Sequence, residues 1–440
     1  MVALTKKNIK IAAAEEFIES VSEPASSNLY VVIGRSVPWS NDSSPDIAND
    51  SIYDQTTLWS NMIAGKKITG NDLSHVVKRV NWEANTVYSY YDDRANNMFS
   101  DNVSFYVLTN EYNVYKCLNN NNGANSTIKP TYIAFNSTTT ESDGYIWKYM
   151  FTLNSKDKIR FLTNDWMPIR KITIDDGSLQ YQVQQEAIDG AIESIIVSNS
   201  GMSYTNSSNI IVTITGDGTG ATATASLNAT SNTVSAISIS NKGLNYSYAN
   251  VAITGGGGSG ATARAIMSPY GGHGSNPLYE LGGSTLILGV RIQPNEENVF
   301  TPSNDFRQIA LLRNPLTNGT TNAFSNSAFT QLLELTVAGS GSDYIDDEQV
   351  FQGASLATST FKGLVLKSNN ITNVLYLTDY IGTPTSTNLF GLSSGAVKFV
   401  IQIQQPDLKP RSGQLIYIDN ISPVTRAEDQ VENIKIPIKF

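Results

Sequence analysis

A duplication in the middle of the chain leaves little freedom in how that part can fold. AIESIIVSNSGMSYTNSSNIIVTITGDGTGATATASL (residues 191–227) is followed by VSAISISNKGLNYSYANVAITGGGGSGATARAIM (234–267). Gly201 aligns with Gly243 and Gly220 with Gly260, a period of about 40 positions. Each copy reads as strand, Gly-x-x-Tyr turn, strand, glycine-rich turn, strand. Two copies are too few to stack as a solenoid. The expectation is a small β domain set into a host fold.

The same grammar of short apolar runs and turn residues extends over the rest of the chain. In LYVVIGRSVPWS (29–40), the apolar residues Tyr30 to Ile33 run into Gly34, Pro38 and Trp39. So short a run bounded by turn residues predicts a buried strand. Gly34 is expected to supply a backbone angle denied to other residues, and Pro38 to end the pairing. VSFYVLTN (103–110) and NVYKCL (113–118) have the spacing of a hairpin. In YIWKYMF (145–151), Tyr145, Trp147, Tyr149 and Phe151 alternate with Ile146, Lys148 and Met150. That alternation predicts one fully aromatic face, packed on a neighbouring sheet or another subunit.

Helical signals are few. Ile11, Ala14, Phe17, Ile18 and Val21 sit at helical spacing over residues 8–22. Residues 53–63 predict a short helix with Leu58, Met62 and Trp59 as its buried stripe and Gly65 as its C-cap. Residues 68–82 predict a second short helix or turn, and SPYGGHGSNPLYELGGS (268–284) a loop or linker. The expected fold class is mainly β, with sandwich- or barrel-like domains and a few short helices. The expected division is a core over 1–187, 269–327 and 403–440, interrupted by the repeats at 188–268 and by a second β-rich insertion at 328–402.

Composition narrows the function classes. Charged residues are 16% of the 440, against about a quarter in an average protein, and the formal net charge is −9. Such a chain lacks the basic stripe of a general nucleic-acid binder. No apolar run approaches the length of a membrane span, and the first residues predict an amphipathic helix rather than a signal peptide. One cysteine, Cys117, excludes an internal disulfide and points to synthesis at a reducing site.

Candidate chemistry is sparse. GGGGSGAT (255–262) approaches a phosphate-binding loop, but Ala261 stands where the lysine must be. Gly216-x-Gly218-x-x-Ala221 resembles a dinucleotide fingerprint, but the residues after it read as strand. Only His75 and His273 are present, His75 in the expected short helix and His273 in a glycine-rich loop, so no zinc set or nucleophilic triad is legible. Asp343, Asp346, Asp347 and Glu348 form an acidic run without the ligand spacing or glycine of a calcium loop. No catalytic, cofactor or metal residue is therefore assigned. Arg35 and Trp39 are the two candidates for an interface, because both residue types dominate binding hot spots. Their other reading is a core tryptophan with an arginine capping a turn.

An ordered series of blocks carries a resemblance. Gly34-Arg35-Ser36-x-Pro38-Trp39-Ser40, Leu58-Trp59-Ser60-x-Met62 and Lys78-Arg79-x-Asn81-Trp82 come first. Val114 to Leu118 and Asp143 to Phe151 follow, then Phe306-Arg307-Gln308-Ile309, Arg313 to Leu316, Ser412 to Asn420 and Glu432 to Phe440. The series resembles the baseplate wedge subunit of contractile-tailed (myovirus-type) bacteriophages over roughly the first 170 residues and two later segments. The two insertions lie outside it. The resemblance implies a mostly β, non-enzymatic homodimer that joins other wedge proteins in the tail baseplate of a virion and is made in the host cytoplasm. It implies no cofactor, no nucleic-acid partner and no membrane. The competing reading is a carbohydrate-binding or carbohydrate-cleaving tail protein with the insertions as binding modules. A generic adhesin is a third, without the secretion signal it would carry.

Overall fold

A computed structural model describes residues 7–23, 27–100, 102–293, 296, 299–300, 304–427 and 429–440. The fold is mainly β, as the sequence predicts, and the chain divides into two compact units. One comprises residues up to Glu15, Ser74–Ile287 and Pro437–Phe440; the other comprises Glu16–Leu73 and Leu288–Ile436.

In the second unit, the strand Leu29–Gly34 lies at the centre of a five-stranded antiparallel sheet. Its neighbours are Met62–Lys67 and Asp305–Arg313, with Ala328–Thr330 and Gln414–Thr425 at the edges. Both faces of the central strand are covered, so its run of Tyr, Val and Ile is continuous rather than alternating. Its end differs from the expectation. Gly34 has no left-handed backbone; Arg35 takes that conformation, with φ +60. Gly34 is needed for space, since a Cβ there would stand 3.0 Å from the Asn61 carbonyl oxygen. Pairing with Met62–Lys67 bulges between Ile33 and Gly34 and stops there, before Pro38 is reached.

The helix Ile52–Asn61 is capped by Ser51, whose hydroxyl accepts from the Asp54 N–H at 3.0 Å. It buries Leu58, while Met62 and Gly65 belong to the following strand, so Gly65 is not a helix cap. A Cβ on Gly65 would strike the Phe329 ring at 2.3 Å, which explains the glycine as a packing requirement.

This unit also holds a closed six-stranded barrel between Leu333 and Gln404. Its first and last strands pair, Glu334 opposite Gln404, so the chain enters and leaves at neighbouring positions. Leu335, Val350, Phe361, Val365, Leu377 and Val400 fill its interior.

In the first unit, the predicted hairpin forms from Tyr106–Leu108 and Asn113–Asn120, and the latter pairs with Tyr145–Thr152. The aromatic face is shorter than alternation predicts. Val114 pairs with Phe151 and Tyr115 with Tyr149, so Met150 is an extra residue in its strand. This bulge turns Phe151 into the opposite core with Met150, leaving Tyr145, Trp147 and Tyr149 on the aromatic face. Those three rings are at most 3% exposed, so the chain itself covers them. Tyr132–Phe135 form no strand, and residues 73–78 form a strand rather than a helix, after one 3-10 turn at Gly70–Asp72.

The duplicated segments build one six-stranded antiparallel sheet. The first strand of each copy pairs with the last strand of the other: Ile192–Met202 with Ser259–Met267, and Thr233–Leu244 with Thr219–Asn228. The middle strands, Ile210–Gly216 and Ala249–Gly255, pair at the centre. The copies are thus interlocked, and neither completes its own hydrogen-bond ladders. Tyr204 and Tyr246 occupy equivalent places. A Cβ on Gly258 would lie 2.4 Å from the Tyr204 ring, and one on Gly218 2.4 Å from the Tyr246 ring.

Candidate interface corner and buried polar clusters

The left-handed turn at Arg35 brings its side chain back over Trp39. The guanidinium lies 3.7 Å from the indole centroid and donates to the Pro38 carbonyl at 3.2 Å. The Trp39 N–H donates to Asp42 Oδ1 at 2.7 Å, and its ring Nε1 donates to the Ile421 carbonyl at 3.2 Å. Trp39 is half-buried, with one ring face under the arginine and its polar edge tied to the strand Gln414–Thr425.

The anchor beneath this corner is Arg307, which reading residue by residue did not single out. It is 5% exposed and donates through Nε and Nη2 to the Asp42 carboxylate at 3.1–3.2 Å. It also donates to Asp305 at 3.2 Å and to the Ser36 carbonyl. The Arg307 hydrogen bonds hold the Asp42 carboxyl below its ordinary range. The signal for Arg307 was its place in the ordered block Phe306 to Ile309. Its partner Asp42 is 265 positions away, and no local pattern links them.

Both histidines are packed rather than presented. His75 lies in the strand Leu73–Lys78, not a helix, and its Nδ1 is 2.8 Å from the Gly283 carbonyl. His273 lies in the segment expected to be a linker, which instead folds inward with the short buried helix Pro277–Leu281. His273 Nδ1 is 2.9 Å from Lys116 Nζ, and Lys116 pairs with Glu280 at 2.8 Å. The other Glu280 oxygen accepts from the Gly274 and Asn276 N–H groups. Burial, with Lys116 beside it, holds the His273 imidazole well below its ordinary range, so it accepts from the lysine as a neutral ring. The tell-tales were Lys116 within VYKCL and Glu280 within PLYEL, charges inside apolar runs. Each satisfies the other, and the cluster pins the loop to the sheet.

The remaining candidates are taken up in the same way. The glycine clusters at 216–218 and 255–258 are hairpin turns between strands, with no helix following. In the acidic run, Asp343 pairs with Lys398 and Asp346 with Lys367. Glu348 is buried and accepts from the Ser393 and Ser394 N–H groups. Among the described residues no cluster of His, Cys, Asp and Glu could hold a metal ion, and no helix is long and apolar enough to cross a membrane.

Comparison with known proteins gives an independent result. Residues 4–139 match the family model described as Phage-Gp8: Bacteriophage T4, Gp8. The baseplate wedge protein gp8 of Enterobacteria phage T4 is 24% identical over 181 residues, covering 34% of this chain and 54% of that protein. The chain thus spans about half the length of this curated relative. The resemblance to a baseplate wedge subunit, drawn from the ordered blocks, is borne out.

Proposed function

We propose that this chain, a relative of phage baseplate wedge subunits, is itself a non-enzymatic structural subunit of a contractile-tail baseplate. The match across its first third carries this reading. The polar groups most suited to chemistry support it, because Lys116, His273, Glu280 and Arg307 are engaged in packing. The subunit holds neighbouring wedge proteins in register as a homodimer. During sheath contraction it moves as a rigid body while contacts between subunits rearrange. It is made in the host cytoplasm and resides in the virion. Cryo-EM of extended and contracted tails tests this: the chain should occupy the baseplate in both states with one internal fold. Absence from the tail, or hydrolysis of polysaccharide by the purified chain, would overturn it.

The corner of Arg35 and Trp39 is proposed as one of its interfaces. A half-buried tryptophan held flat under an arginine is a pre-organised anchor with little rotamer entropy left to lose. The Arg35→Ala, Trp39→Ala double variant should fold and melt as a cooperative unit yet be missing from purified tails. If it fails to fold, the corner is core and not interface.

A further inference from the structure

The strand Gln414–Thr425 is an edge of the five-stranded sheet, and its two halves are treated differently. The far half is covered by the loop after Trp39. Trp39 Nε1 donates to the Ile421 carbonyl, and Asn420 Nδ2 donates to the Asp46 carbonyl at 2.8 Å. That half also carries Asp419 and Pro423, residue types that blunt an edge against pairing. The near half, QLIYI (414–418), has neither a charge nor a proline. There the loop stands off from the strand and leaves a groove of about 500 Å³, lined on its far side by Ala48, Asn49, Asp50 and Gln55. Around it, Ile47 is 93% exposed, Ile52 83%, Tyr53 76% and Ile416 41%.

An open, uncharged, β-prone edge beside exposed apolar side chains is a template for another strand. Five residues of edge present about 17 Å of backbone donors and acceptors, which only an extended partner can meet in series. The charge of the site selects among extended partners. Its lining includes Asp50 and no cation, Asp46 lies in the loop before it, and Asp54 sits in the first turn of the helix Ile52–Asn61 that follows. Two copies of this chain pairing edge to edge would set these carboxylates against each other.

We propose that Gln414–Ile418 receives an extended segment of a neighbouring protein, which adds as a sixth strand and carries lysine or arginine among β-branched residues. This rests on the reading of the chain as an assembly subunit and names the kind of partner it takes. Two octapeptide probes test it on the full chain, one alternating lysine with valine and one alternating glutamate with valine. The lysine probe should bind saturably, slow amide exchange at residues 414–418, and weaken with added salt. The glutamate probe should bind at least tenfold more weakly. Ile416→Lys should reduce binding of the lysine probe tenfold or more without moving the melting temperature, since that side chain is exposed. Equal binding of both probes, protection elsewhere, or no binding would overturn the proposal. Protection of 414–418 that grows with protein concentration and without peptide would also overturn it, because the occupant would then be a second copy. Residence of the chain in purified tails, measured separately, distinguishes failure of this groove from failure of the assembly reading.

Discussion

Lys7 is the clearest case of a residue whose ionisation was set by its surroundings. Its Nζ donates to the Tyr279 carbonyl at 2.5 Å and stands 3.7 Å over the Phe99 ring. Burial first, then the nearby Lys116, lowers its pKa from 10.5 to about 8. The unfolded chain keeps this proton up to its ordinary value. Between pH 8 and 10.5 the unfolded state therefore binds more protons, and this group's contribution to stability rises with pH. The NMR shift of the Lys7 ε-carbon should titrate near pH 8, and Lys7→Met should remove that upward slope from urea-unfolding midpoints. A midpoint near 10.5 would contradict the burial. Arg35 makes a related point about backbone. The glycine that ends the apolar run is the residue expected to take the left-handed turn, yet the turn falls on Arg35, because Gly34 is held against the Asn61 carbonyl by the sheet.

At the scale of elements, the duplicated sheet explains its glycines by close approach. Gly218 and Gly258 do not have a positive φ, but a Cβ there would stand 2.4 Å from the tyrosine ring and 2.6 Å from a backbone carbonyl oxygen, that of Leu244 or of Met202. Gly218→Ala and Gly258→Ala should each destabilise the protein by about 1–3 kcal/mol through overpacking, and by similar amounts because the sites are equivalent. Equal urea-unfolding losses would support the interlocked arrangement; a neutral pair would refute it. The aromatic strand teaches the converse. Its alternation is plain in the sequence, but the extra residue at Met150 is specified by pairing with Val114 and Tyr115 across the hairpin, so Phe151 changes face.

For the whole molecule, the repeats and the barrel share one feature: each begins and ends on neighbouring strands. Ile192 pairs with Met267, and Glu334 with Gln404. A module so closed can be added or removed with little disturbance at its ends. Residues 333–404 expressed alone should therefore unfold cooperatively, with an exchange-protected core around Leu335, Val365 and Leu377. A chain that stays disordered would show that the barrel depends on its host. The sequence by itself determined the β class, most strands, the duplication and the likeness to wedge subunits, because strand runs, turn residues and ordered blocks are local signals. The tertiary structure alone decided which strands distant in sequence pair, where ladders bulge, and that Lys116 meets Glu280 across 164 positions. Backbone hydrogen bonds are the same for every residue, so partners are chosen by burial and register over distances that no local pattern records.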